Sequence, residues 1–192
     1  MRTYVEEQVR CPRKQWIYEI LEGTREKEAV LVETADMIFL PDTEARNDKD
    51  TVNWLAIIKD RSLRSLRDLR GEHADMLQRA QTTCVDYILN TRNFDKHDVM
   101  AYIHYLPSVF QLHIHFCAPY GSYTARDAIY KLHPLDNVIS NLRIDSDYYR
   151  KAHISTVVTE RALIDIYSKE EIHEAEPVSP QSMKQISSSL DN

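Results

Sequence analysis

HYLPSVFQLHIHFCAP, residues 104–119, is the stretch on which the reading of this chain turns. It holds His104, His113 and His115, three of the eight histidines in 192 residues. His113 and His115 alternate with Leu112, Ile114 and Phe116. A period of two is the mark of a strand with one buried face. The apolar set packs on a core, and Gln111, His113 and His115 share the other face, which lines a cleft. Val99–Tyr105 reads as a neighbouring strand, joined to Phe110–Cys117 by the turn Leu106–Pro107–Ser108–Val109. Paired as a hairpin, the two strands put His104 beside His113 and bring three imidazoles together.

Three chemistries fit such a cluster. The histidines can be structural, but neighbouring imidazoles disfavour each other's protonation and need compensating partners. They can hold zinc or iron, yet that wants a further ligand, often a carboxylate, on the same face, and none lies nearby in sequence. They can also attack phosphorus. A neutral imidazole then becomes a phosphohistidine that water cleaves, while its neighbours bind the non-bridging oxygens.

Outward from this stretch the chain alternates strand and helix signals. Trp16, Ile17, Ile20 and Leu21 have helical spacing within residues 14–22, and Gly23 ends that helix. Ala29–Val32 and Met37–Leu40 read as paired strands, the second closed by Pro41–Asp42. Thr51–Asp60 reads as a short helix, and residues 61–69 as a connector. Gly71 to about Asn93 is the longest helix, burying Met76, Leu77, Ala80, Cys84, Tyr87 and Ile88. Asp127 to about Leu142 has a helical pattern broken at Pro134. Ile154–Glu160 reads as a strand and Ala162–Ser168 as a short helix. The sum predicts an α+β fold, an antiparallel sheet with flanking helices over residues 1–169. The acidic, then Ser-rich segment 170–192 reads as a disordered tail.

Composition excludes other classes. A net charge of −6 argues against a generally basic nucleic-acid binder, and DNA is not an expected partner. No apolar run reaches a membrane span. The start of the chain lacks the apolar segment of a signal peptide. With only three glycines, no Gly-rich phosphate loop is present. Cys11, Cys84 and Cys117 are odd in number and far apart, which fits a reducing cytoplasmic or nuclear setting rather than a disulfide framework.

The alternation in QLHIHF resembles the histidine-triad superfamily of nucleotide hydrolases and transferases. The longer string AYIHYLPSVFQLHIHF resembles one branch, the scavenger mRNA decapping enzymes. The likeness extends back through SLRSLRDLRGEHADML, FLPD and WIYEILEGTREKEAV. It implies a histidine-triad sheet and hydrolysis of a residual cap (m7GpppX) to 7-methyl-GMP and a nucleoside diphosphate, without metal or other cofactor. A capped dinucleotide or short capped RNA fragment is the implied partner, and a homodimer the implied assembly. His113 matches the nucleophile. His104, His115 and Ser108 match phosphate contacts, and Gln111 stands at the first triad position, also against phosphate. Trp16 matches the tryptophan that stacks on 7-methylguanine, Glu26 the glutamate that pairs with the guanine edge, and Asp42 the aspartate of the cap loop. On the residues alone Trp16 reads as a core helix position and Glu26 as a solvated charge. A cationic methylated base nonetheless suits an aromatic face and a carboxylate.

Three departures stand out. Gln111 replaces a histidine. Thr43–Glu44 follow Pro41–Asp42 where the family has an apolar residue and a lysine, so Glu44 repels a polyphosphate unless a residue such as Lys49 compensates. The family's N-terminal domain, swapped between subunits, is absent before Trp16, so the chain reads as a fragment or a reduced relative. Two further functions follow: an inactive, nucleotide-binding regulator of an active relative, and a generic histidine-triad hydrolase of dinucleoside polyphosphates.

Overall fold

The computed structural model describes residues 2–42, 50–122 and 131–156. The chain divides into two units, residues 8–157 and residues 1–7 with 158–192. Of the second unit the described part is residues 2–7, the opening of helix α1 (Arg2–Arg10). The first unit carries the sheet.

That sheet has six strands: β1 (Val32–Glu33), β2 (Met37–Pro41), β3 (Val52–Ile58), β4 (Met100–His104), β5 (His113–Ala118) and β6 (Leu132–Pro134). Their order is β1-β2-β3-β5-β4-β6, and every neighbouring pair is antiparallel. With its flanking helices it is an α+β fold, as the sequence predicts.

One face meets helices α3 (Ala74–Thr91) and α4 (Leu135–Ile144). Phe39, Trp54, Ile58, Ile114 and Phe116 pack there against Leu77, Cys84, Ile88, Val138 and Leu142. Phe39 is the hub, with its ring edge-on to Trp54, Phe116 and Tyr87 at centroid distances of 5.5, 5.4 and 6.1 Å. The other face is covered at one end by the short helix α2 (Trp16–Leu21). Its Ile17 and Ile20 pack with Ile38, Leu40, Ile57 and Val109. The helix ends at Gly23, whose φ of 69° lets Gly23 N–H reach the Ile20 carbonyl and Thr24 N–H the Glu19 carbonyl.

Four expectations are corrected. Thr51–Asp60 is not a helix: Val52–Ile58 is the long central strand β3. Helices cover both its faces, so it reads as a continuous apolar run, and periodicity cannot separate that from a buried helix. Ala29 belongs to a 3-10 turn, and β1 is only two residues long. Within the helical pattern expected over Asp127 to about Leu142, Leu132–Pro134 is instead a strand paired with β4, and α4 starts just after the break expected at Pro134. Ile154–Thr156, the described part of the strand expected over 154–160, has no regular structure. Residues 127–130, the helix expected at 162–168, the boundary at 169 and the tail from 170 lie outside the described residues.

Candidate active site

The register of the sheet assembles the histidines. Tyr102 of β4 pairs with His115 of β5, and strand alternation puts His104 on the face of Tyr102 and His113 on the face of His115. Paired residues share a face, so Tyr102, His104, His113 and His115 stand together, on the side that carries α2. The ring centroids of His104 and His115 are 4.3 Å apart, and those of His113 and His115 are 5.0 Å apart. Tyr102 lies flat on His115, with centroids 5.1 Å apart and planes 4° from parallel. The three imidazoles predicted to converge do converge.

His113 is buried, and its Nδ1 lies 2.7 Å from the Gln111 carbonyl oxygen. A carbonyl only accepts, so Nδ1 carries the hydrogen and Nε2 carries the lone pair. Burial lowers the His113 pKa to about 4, the Gln111 carbonyl opposes that shift, and nearby His104 adds to it. The ring is therefore neutral at pH 7. His115 is held well below the usual histidine range by burial, then by His113 and His104. Its Nε2 is buried with no hydrogen-bond partner among the described residues.

The structure separates Gln111 from the strand face assigned to it. β5 begins at His113, and Phe110–Leu112 form a connector stitched to the end of β3. Leu112 N–H donates to the Leu63 carbonyl, and Ile58 N–H donates to the Leu112 carbonyl. Gln111 is fully buried, and its Nε2 donates to the carbonyls of Ile58 at 2.7 Å and Asp60 at 3.0 Å. Both amide hydrogens are spent there, so none remains to donate to a phosphate.

The other predicted residues fall as follows. Ser108 is exposed on the connector between β4 and β5. Trp16, half-buried at the start of α2, packs on the cluster containing Ile57, the β3 partner of His113. Tyr18 of the same helix donates its hydroxyl to the Phe110 carbonyl at 3.4 Å, a long bond tying α2 to the connector. Glu26 has left-handed backbone, φ 55°, and its carboxylate takes Arg25 Nε at 3.2 Å. Asp42 follows β2 and bonds through its backbone N–H to the Asn53 carbonyl at 2.9 Å. Thr43, Glu44 and Lys49 lie outside the described residues.

Three contributors went unread in the sequence. Tyr102 sits two residues before His104, so strand alternation already put it on the histidine face. Arg67 donates from Nη1 to the carbonyls of Tyr149 and Ala152, and its guanidinium lies over the Tyr105 ring at 5.4 Å. Thr156 donates its hydroxyl to the Tyr105 carbonyl at 2.6 Å and accepts Leu106 N–H at 3.2 Å. These last two steady the connector just after His104, and no local signal marks them, because their partners are distant in sequence.

Neutral burial makes stability pH-dependent. Folded His113 protonates near pH 4, against an ordinary value of 6.5, so between those values the unfolded chain binds more protons. Stability is then present above about pH 6.5 and lost as the pH falls toward 4. From pH 7 to pH 5, His113 alone is expected to remove about 2 kcal/mol of unfolding free energy. Burial of His115 acts in the same direction. Urea unfolding at the two pH values checks this, with a smaller drop expected for His113→Asn. An equal drop in both chains would count against it.

Residues 15–128 match the family described as "Scavenger mRNA decapping enzyme C-term binding". The m7GpppX diphosphatase of Rattus norvegicus is 30% identical over 161 residues, covering 81% of this chain and 48% of that protein. That of Homo sapiens is 32% identical over 142 residues, covering 71% and 42%. This chain thus spans about half the length of the relatives it matches. Among solved structures, the aprataxin ortholog Hnt3 from Schizosaccharomyces pombe aligns at a TM-score of 0.45 and 16% identity, over 80% of this chain and 89% of that one. The family match runs from α2 through the whole histidine stretch, and the chain belongs to the scavenger mRNA decapping enzyme family.

Proposed function

We propose that this chain hydrolyses the triphosphate bridge of a cap dinucleotide, with His113 as nucleophile. The observation that carries the reading is the neutral His113 ring, its Nδ1–H held by the Gln111 carbonyl and its Nε2 lone pair left for chemistry. Nε2 attacks the phosphorus attached to 7-methylguanosine. An N–P bond forms, and the P–O bond to the nucleoside diphosphate breaks. That diphosphate leaves as an anion and needs no proton. Positive charge develops on the ring and is met by the carbonyl at Nδ1. Water then attacks phosphorus, the imidazole is returned, 7-methyl-GMP leaves and a proton passes to solvent. His104, His115 and Ser108 supply donors to the non-bridging oxygens. Trp16 stacks on the cationic base, with Glu26 and Asp42 at its edge.

Incubation with m7GpppG and separation of the products tests this. The expected products are 7-methyl-GMP and GDP. No 7-methyl-GMP above a His113→Asn control would reject the reading.

One observation favours a second substrate range. The Glu26 carboxylate is already engaged by Arg25, which weakens its claim on a guanine edge. A generic histidine-triad hydrolase would split unmethylated dinucleoside polyphosphates as readily. Comparable rates on m7GpppG, GpppG and ApppA mark that outcome, and a strong preference for m7GpppG marks the first.

A further inference from the structure

We infer that Tyr102 is a positioning residue for the proposed reaction: its ring, laid flat on His115, sets the direction in which that imidazole offers its buried Nε2 to a phosphoryl oxygen. The part that concerns turnover rests on the proposed contact of His115 with phosphate, whereas the setting of the ring is a property of the chain itself.

The two histidines of β5 are held by different means. The His113 ring has a hydrogen bond. His115 makes none with a described residue, and its Nε2 is buried without a partner. A buried polar atom left unpaired costs free energy that a bound acceptor or donor recovers. An imidazole also turns about its outer torsion in a broad, roughly two-fold well. With no hydrogen bond to choose the angle, packing decides where Nε2 is presented. His104 and His113 meet the His115 ring at 56° and 63°. Of the three rings only Tyr102 lies parallel to it, 4° between planes with centroids 5.1 Å apart. An offset stack of this kind covers one face of the imidazole. Turning the ring out of its plane would drive an edge into the phenol.

Tyr102 is built to act as that wall. It is fully buried. Its backbone pairs with His115 of β5 on one side and with Pro134 of β6 on the other, so two ladders fix where its ring starts. Directly opposed residues on one face stand close enough to touch, and the stack follows from the register. The same ring lies 5.1 Å from His104, tilted by 59°. One aromatic side chain thus backs both imidazoles proposed to meet the non-bridging oxygens. Leucine at this position keeps the strand paired and uncovers the His115 face.

The test uses the full chain. Tyr102→Leu is expected to lower kcat on m7GpppG roughly 10- to 100-fold. KM is expected to change little, because these donors act on charge that develops in the transition state. Tyr102→Phe keeps the ring and is expected to stay within about 3-fold of the unsubstituted chain. In a His115→Asn background, Tyr102→Leu is expected to cost no more than about 2-fold further, because its effect passes through the missing imidazole. A Tyr102→Phe chain as slow as Tyr102→Leu overturns the inference, and so does a full-sized Tyr102→Leu loss in the His115→Asn background. Relaxation of the 13C-labelled His115 ring gives a readout without turnover. The ring is expected to be rigid in the unsubstituted and Tyr102→Phe chains and mobile in Tyr102→Leu. An equally rigid ring in Tyr102→Leu overturns the inference whatever the activity. If Tyr102→Leu fails to fold, Tyr102→Met, which is longer and has no ring, replaces it and is judged by the same outcomes. A chain inactive on every cap substrate whose His115 ring is still loosened by the substitution would sink the proposed function and uphold the setting of the ring by Tyr102.

Discussion

A His113→Asn chain is expected to release 7-methyl-GMP from m7GpppG on the order of 10^4-fold more slowly than the unsubstituted chain, or slower still. Asparagine keeps a donor that can meet the Gln111 carbonyl, so the connector stays in place while the nucleophile is lost. Binding of a cap analogue, followed by quenching of tryptophan fluorescence, is expected to change little, because His113 is buried and contributes attack rather than affinity. His104→Asn and His115→Asn remove groups proposed to bind the developing charge, and a loss on the order of 10^2-fold is expected for each. This ranking is diagnostic. If His113→Asn kept activity within tenfold while His104→Asn abolished it, the nucleophile would have been misassigned along the same strand pair.

Phe39→Ala is expected to carry the largest stability loss of any single core truncation on the sheet, about 3–5 kcal/mol. Phe39 is fully buried and meets three aromatic rings edge-on. Few substitutions remove as much packing at once, and edge-to-face pairs add to the burial itself. Small domains hold roughly 5–15 kcal/mol in total, so this change consumes a large share of it. Urea unfolding at pH 7 measures the loss, and a value under about 1 kcal/mol would mean that the cavity collapses freely. The loss also reaches the candidate site. Phe116 loses a partner, and it sits on β5 directly after His115, on the opposite face. A looser β5 presents looser imidazoles.

Much of this arrangement was legible in the residues, for physical reasons that can be named. Alternation in LHIHF identified β5 and its histidine face because one side of that strand is apolar and the other is not. The antiparallel pairing expected of the two strands sets Tyr102 against His115, and His104 comes within 4.3 Å of the His115 ring. β3 was misread because both its faces are covered, so Trp54–Ile58 carry no alternation to betray a strand. Gln111 was placed one element too far along. The alternating pattern runs on past the point where Leu112 leaves the ladder to bond Leu63. A pattern of polarity records which side chains are buried, and it does not record whether the backbone is still paired. The bonds of Arg67 and Thr156 were beyond reach for another reason: each joins segments far apart in the chain, and neither residue type announces its partner.

The Thr156 bond has a consequence for the order in which this fold is completed. Its hydroxyl seals the link between Tyr105 and Leu106 from 50 to 51 positions downstream. Closing so long a loop costs entropy that only later contacts recover. β4 and β5 are neighbours in sequence, so their pairing closes a much shorter loop. The strands that display the histidines therefore pair without any contact to residue 156, whereas the connector between them is fastened only when that residue is in place. Pairing of the histidine strands and fastening of the connector between them thus draw on contacts of very different sequence separation.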